Sequence, residues 1–188
     1  MNEIWKKPYQ VYPPKNEWDS QKEWILEIGP GNGKFIVWMA ENFKNKTMIA
    51  VELRNMRFQH VVELAKEKNL SNLHAVHGDA RYCLEELFTE NSLSEIFILF
   101  PDPWPKRRHN KHRLLCETRT DLFYSLLKKG GKVWSATDHP EYARQIAEVF
   151  PHEKWIHEEG KSHFPTYFET KWKKMGLPIH YFGFVSRK

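Results

Sequence analysis

The chain is short of the residues that would announce metal, redox or membrane chemistry. Among 188 residues there are two cysteines, Cys83 and Cys116. They lie far apart, each in a helix-like segment and neither in a C-x-x-C pair, so they are expected to serve as small apolar residues and not as redox or metal groups. Ten histidines are present, yet none falls in an H-E-x-x-H or comparable ligand spacing, so no metal is expected. No apolar run approaches the roughly 20 residues that a spanning helix needs, and the mean hydropathy of −0.69 argues against a membrane protein. The opening stretch, Met1 to Pro8, lacks the apolar core of a signal peptide, which makes the cytoplasm the expected address. Internal repeats, low-complexity tracts and internal linkers are missing too.

What is present is enough for one folded domain with a sizeable core: 40% of the residues are apolar and 14% aromatic. Residues 1–22 are polar, carry Pro8, Pro13 and Pro14, and read as an N-terminal arm; residues 23–188 read as a single domain. From Trp24 onward strand and helix signals alternate. Expected strands are Trp24–Ile28, Thr47–Val51, Leu73–Val76, Ile96–Phe100 and Lys132–Ala136, with two late ones at Trp155–Glu158 and His180–Val185. Helical spacing covers Lys34–Asn42, about 54–68, Tyr82–Phe88, about 114–128 and Glu141–Phe150, while the aromatic and basic stretch between the two late strands reads as a loop. Strands alternating with helices imply an α/β domain with parallel pairing through right-handed crossovers.

The charge is concentrated in one place. The net formal charge is +5, and Lys106, Arg107, Arg108, Lys111 and Arg113 supply all of it within one short, acid-free run. Just before this run stand Phe100-Pro101-Asp102-Pro103-Trp104-Pro105, where three prolines stop an apolar strand and hold a carboxylate, Asp102, on a stiff loop. A rigid acid beside a block of cations suggests acid-assisted chemistry on something polyanionic.

A second feature joins the first strand to the first helix: Glu27-Ile28-Gly29-Pro30-Gly31-Asn32-Gly33. Glycines there let the backbone turn sharply and approach a ligand, next to the free N–H groups of a helix start. The third glycine comes one residue too early for the dinucleotide G-x-G-x-x-G pattern, and Glu27 would be poorly placed beside a pyrophosphate but suits a cationic ligand. Glu52 closes the second strand, where an acid can take ribose hydroxyls, and Asp79 follows the third, where it could accept the adenine amino group. Each acid alone could equally be a helix cap or a surface carboxylate. Three at successive strand ends, on the edge where open α/β sheets bind ligands, favour S-adenosylmethionine over NAD.

With Leu26-Glu27-Ile28-Gly29-x-Gly31-x-Gly33, Val51-Glu52, Gly78-Asp79-Ala80, the run from Phe100 to His109, Thr137-Asp138 and Pro165-Thr166-Tyr167-Phe168-Glu169, the chain resembles the tRNA (guanine-N7-)-methyltransferase family. The likeness extends from about residue 24 to the C-terminus. The glycine loop is common to many methyltransferases; the D-P-W-P-K-(K/R)-R-H run is far more specific. The resemblance implies a Rossmann-like class I methyltransferase fold, a mostly parallel seven-stranded sheet with helices on both faces. It implies methyl transfer from S-adenosylmethionine to N7 of guanosine 46 in the tRNA variable loop. It places Glu27, Gly29, Gly31, Gly33, Glu52 and Asp79 at the cofactor and Asp102 at the reaction centre. Lys106, Asp138, Thr166 and Glu169 then fall on the substrate side, with Arg107, Arg108, Lys111 and Arg113 on RNA phosphates.

Tyr167, Phe168 and Trp172 could stack on a displaced base or belong to the core, and Trp104 is expected to pack under the loop and pin Asp102. The chain departs from the family in its short N-terminal arm and in His112, which stands where a further arginine is common. The expected partner is tRNA, with no metal, no membrane and no obligatory protein partner, the enzyme working as a monomer or homodimer. Alternatives are a methyltransferase for another acceptor (a different RNA, a protein or a small molecule), a non-catalytic RNA-binding protein of the same fold, and an NAD-dependent oxidoreductase, the last disfavoured by Glu27 and the glycine spacing.

Overall fold

The computed structural model describes residues 9–13, 15–160 and 164–188, apart from the side chains of Arg107 and Asn110. Most of the expected arm therefore has a described structure, whereas residues 1–8 and Pro14 lie outside it. The chain divides into two compact units, one ending at Thr89 and one beginning at Glu90.

The first unit holds β1 (Gln10–Tyr12), β2 (Glu23–Ile28), α1 (Lys34–Asn42), β3 (Lys46–Glu52), α2 (Asn55–Glu67), β4 (Leu73–His77) and α3 (Ala80–Leu87). Its strands lie in the order β1-β4-β3-β2. The last three run parallel: Ile28 stands against Val51, Val51 against Val76 and Glu52 against His77. Residues Thr47 to Glu52 are buried without a break, as expected for a parallel strand covered on both faces. Helices α1 and α2 pack beside one another against β3 and β4. Gly33, at φ 74°, sits where they meet: a Cβ there would come within 3.2 Å of Val61 and 3.3 Å of Leu64.

The second unit holds β5 (Leu93–Leu99), a 3₁₀ turn (Arg107–His112), α4 (Glu117–Leu126), β6 (Leu127–Thr137), α5 (Pro140–Glu148), β7 (Trp155–Glu159), α6 (Tyr167–Lys174) and β8 (His180–Ser186). Here the order is β5-β6-β8-β7, with β5 and β6 parallel and β8 antiparallel to both neighbours. Its core includes Phe150 stacked flat on Phe184 at 3.6 Å between ring centres, with Trp155 edge-on to Phe150.

Four expectations need correction. Eight strands occur among the described residues, not seven: β1 lies in the expected arm and pairs antiparallel with β4. The arm is also packed, because Trp18 is 5% exposed and lies against Trp24, His74 and Phe88. The stretch expected as a loop before the last strand contains α6, started by a Thr166 hydroxyl that accepts from Glu169 N–H at 2.9 Å. Finally, α4 ends at Leu126 and passes directly into β6, so the expected helix to 128 is too long.

Gly33→Ala is expected to destabilise the protein by about 1–2 kcal/mol, since it adds both a left-handed backbone penalty and a clash with α2. Thermal melting followed by circular dichroism checks this; an unchanged melting temperature would contradict the packing described.

Candidate active site

In the first unit the parallel register brings the three expected acids to one edge. Gly29 N–H donates to Val51 C=O and Gly78 N–H to Glu52 C=O, both at 2.9 Å, so the three strands end nearly level. Glu52 is buried and holds the glycine loop: one oxygen accepts from Gly31 N–H at 3.3 Å, the other from Arg54 N–H at 2.8 Å. A Cβ at Gly29 or Gly31 would meet nothing within 4 Å, which leaves open space over the loop. Asp79 caps α3 by accepting from Arg81 N–H, and it forms an ion pair with the Arg81 guanidinium at 2.5 Å. The plain reading of Asp79 as a helix cap therefore holds.

Glu27 is the unusual member. It is 2% exposed, and its Oε2 is buried with no hydrogen-bond partner among the described residues. Burial, and next the charge of Glu52, push its carboxyl up to about 8, against a small lowering by the Ile36 N–H. A buried acid with an unfilled oxygen, beside an open glycine turn, fits a ligand that carries positive charge. The donor set thus suits S-adenosylmethionine, whose sulfonium and ammonium are both cationic. Nearby, Cys83 is buried with its thiol pushed up to about 12, chiefly by desolvation, which makes it a packing residue and not a nucleophile. Cys116 is half-buried at the start of α4.

In the second unit Asp102 and Asp138 follow the carboxyl ends of β5 and β6, whose register pairs Leu99 with Ala136. Asp102 is exposed and Asp138 half-buried. The turn that carries Asp102 is strained, since Phe100 and Trp104 adopt φ of 54° and 44°, values costing bulky L residues about 1–2 kcal/mol each. Such strain persists only where surrounding structure imposes it, and it gathers at functional sites. Trp104 does not vanish beneath the loop. It is 38% exposed and leans on the rings of His112 and His109, 5.2 and 5.9 Å away between centres.

Lys106, Arg108 and Lys111 are exposed, as phosphate contacts would have to be; the Arg107 side chain lies outside the described residues. Arg113 departs from the expectation: it is buried, with its guanidinium on the Pro103 carbonyl, on Gln145 and over the Tyr142 ring. A phosphate cannot reach it there. Thr166 and Glu169 are also buried and engaged in structure. Glu169 accepts from Phe164 N–H, from Lys173 and, at 3.0 Å, from the Tyr181 hydroxyl, and so ties the start of α6 to β8. Tyr167 and Phe168 are exposed aromatics and not core, and Phe168 leans on Phe100 at 6.0 Å. Sequence reasoning missed Gln145 and Tyr142 altogether, because nothing in an ordinary amphipathic helix marks them. Among the described residues no group of His, Cys, Asp and Glu could hold a metal ion, and no helix is long and apolar enough to cross a membrane.

The fold is that of the class I methyltransferases, and comparison with known proteins gives the family. A family model described as "Putative methyltransferase" matches residues 21–182. A solved 16S rRNA methyltransferase, KamB, superposes with a TM-score of 0.65 at 13% identity, covering 92% of this chain and 90% of that one, a likeness of fold alone. The tRNA (guanine-N(7)-)-methyltransferase of Thermotoga maritima is 34% identical over 169 residues, 87% of this chain and 53% of that protein. The protein of the same description from Mycobacterium leprae is 34% identical over 81% of this chain and 70% of its own length. The chain thus spans about half of the first relative and rather more of the second. It belongs to the tRNA (guanine-N7-)-methyltransferase family.

Glu27 also dictates a pH dependence. Its folded carboxyl is raised from 4.5 to about 8, so the folded protein keeps a proton that the unfolded chain releases. The resulting stability is fully present below about pH 4.5 and is lost as pH rises through about 8. Glu27→Gln, which stays neutral, is expected to raise the melting temperature of the cofactor-free protein at pH 8 by several degrees, while weakening S-adenosylmethionine binding at least tenfold. Melting curves against pH and calorimetric titration check both; a lowered melting temperature at pH 8 would contradict the burial argument.

Proposed function

We propose that the protein transfers a methyl group from S-adenosylmethionine to N7 of a guanosine in tRNA, with guanosine 46 of the variable loop as the acceptor. The observation that carries this reading is Asp102, an exposed carboxylate on a strained, proline-bounded turn that leads into the exposed cations Lys106, Arg108 and Lys111. The named activity of the relatives supports it.

Glu27, Glu52 and Asp79, with the Gly29–Gly33 backbone, would hold the cofactor. Glu27 would face its positive charge and Glu52 the ribose hydroxyls. Asp79 already accepts from three N–H groups of Arg81. Those groups make four hydrogen bonds, two on each carboxylate oxygen, which fills its roughly four acceptor sites, so an Arg81 contact would have to give way for Asp79 to take the adenine amino group. S-adenosylmethionine, when bound, supplies an electrophilic methyl on a sulfonium sulfur.

N7 of guanine has a lone pair and no proton, so its attack requires no general base. It requires alignment, and relief of the positive charge that develops on the purine. Asp102 meets both needs by accepting from guanine N1–H and the N2 amino group, with Asp138 as a second anion nearby on the same unit. Thr166 and Glu169 act through the chain they hold, fixing the α6 start whose Phe168 leans on Phe100. In folded tRNA the base has to leave its contacts, at a cost of a few kcal/mol. Phosphate contacts from Lys106, Arg108 and Lys111 offset that cost and set the register, while the acids select the base. Such an enzyme works where tRNA is, in the cytoplasm, as a monomer or homodimer.

Incubation with labelled S-adenosylmethionine and unmodified tRNA, followed by mapping of the product nucleoside, is expected to place the label at N7 of guanosine 46. Label on another atom or another RNA alone would refute the proposal. Asp102→Ala is expected to abolish turnover and leave cofactor binding intact. Replacing Arg108 and Lys111 by Gln is expected to weaken tRNA binding and to flatten its salt dependence by about two in log–log slope.

A further inference from the structure

Arg113 ends the cationic run yet is only 3% exposed. Its Nε donates to the carbonyl of Pro103, the residue after Asp102, at 2.7 Å. Its Nη1 donates to Gln145 Oε1 at 2.5 Å, and the guanidinium lies 4.8 Å from the centre of the Tyr142 ring. Both partners are themselves tied down. Gln145 Nε2 donates to Leu115 C=O at 3.0 Å, and the Tyr142 hydroxyl accepts from Leu115 N–H at 3.1 Å. They belong to α5, whose first turn is capped by His139, two residues beyond the end of β6.

The Asp102 turn cannot hold itself. Three of its residues are prolines, which have no N–H to give, and two of the others stand at positive φ. One end is fastened by Phe100 N–H to Ala136 C=O at 2.8 Å. The bond from Arg113 to Pro103 fastens the chain again immediately behind Asp102.

The composition of this clamp points away from stability as its purpose. Among the described residues no carboxylate pairs with Arg113, and its Nη2 is buried with no partner. A buried cation on neutral acceptors disfavours the folded state relative to a well-packed apolar side chain. An arginine kept only to fill the core would be replaceable by methionine at little cost.

We propose that Arg113, locked by Gln145 and Tyr142, is a positioning residue that sets the place of the Asp102 carboxylate through the Pro103 carbonyl. This rests on the reading that Asp102 receives the guanine. The turn is thereby geared to α5 and the end of β6.

Arg113→Met, Gln145→Leu and Gln145→Glu test it with two separate readouts. In the methyl-transfer assay Arg113→Met and Gln145→Leu are expected to lose roughly 10- to 100-fold in kcat, with KM for S-adenosylmethionine unchanged, the effect of a misplacement on the order of 1 Å. Gln145→Glu keeps an acceptor for Arg113 and is expected to lose less than Gln145→Leu. By hydrogen exchange, residues 99–106 are expected to exchange faster in Arg113→Met and Gln145→Leu, with the rest of β5 and β6 unchanged. Wild-type kcat to within about twofold in both variants, or unchanged exchange over 99–106, would overturn the proposal. So would a fall in melting temperature that tracks kcat, with faster exchange throughout the unit, since that is the behaviour of a purely structural residue. If the wild-type protein does not methylate tRNA, the functional reading fails and the exchange measurement still decides whether the clamp exists.

Discussion

The strand-end acids of the first unit depend on the parallel register of β2, β3 and β4. Parallel pairing makes neighbouring strands point the same way, so the residues that leave them collect on one edge. With Ile28 beside Val51 and Glu52 beside His77, three acids separated by 25 and 27 positions in the chain become neighbours along that edge. The glycine turn can then be held by Glu52, an acid from the next strand, and not by its own residues. A slip of one position would turn Glu27 and Glu52 to the opposite face and leave the loop without its anchor.

The site is built from groups that the fold would be more stable without. Among the described residues, Glu27 is a buried acid with an unfilled oxygen and Arg113 a buried cation without a counter-ion, while Phe100 and Trp104 hold backbone angles that L residues avoid. None of these improves packing. Each is tolerated because continuous apolar strands such as Ile96–Leu99 and Met48–Val51, together with the stacked aromatic core around Phe150, Trp155 and Phe184, supply stability elsewhere. This is the pattern expected when local rules are broken for a ligand.

Much of the architecture was legible in the sequence. Apolar stretches such as Trp24–Leu26, Met48–Val51 and Ile96–Leu99 identify β2, β3 and β5, and the strand-end acids follow from the strands. The misses have physical causes. Strand β1 is three residues long and lies among prolines, too short for any periodicity, and its partner β4 determines it. Helix α6 has few buried positions, so its apolar spacing is faint; the signal that could have found it is the capping pattern Thr166-x-x-Glu169. By resemblance the same pair falls on the substrate side. In the structure its first task is to start a helix.

Arg113 shows where linear reading stops. In the sequence Lys106, Arg107, Arg108, Lys111 and Arg113 form one basic block, and a charge run carries no label for which member turns inward. The 3₁₀ turn over Arg107–His112 separates them: Arg108 and Lys111 stay in solvent, while Arg113, just past its end, enters the unit. Arginine suits that position because its planar fork can serve two acceptors and a ring face at once, as a lysine could not. A single cationic motif therefore divides in two, into cations that stay exposed and one that is buried against the turn bearing the acid. The division is decided by Gln145 and Tyr142, residues that no motif contains.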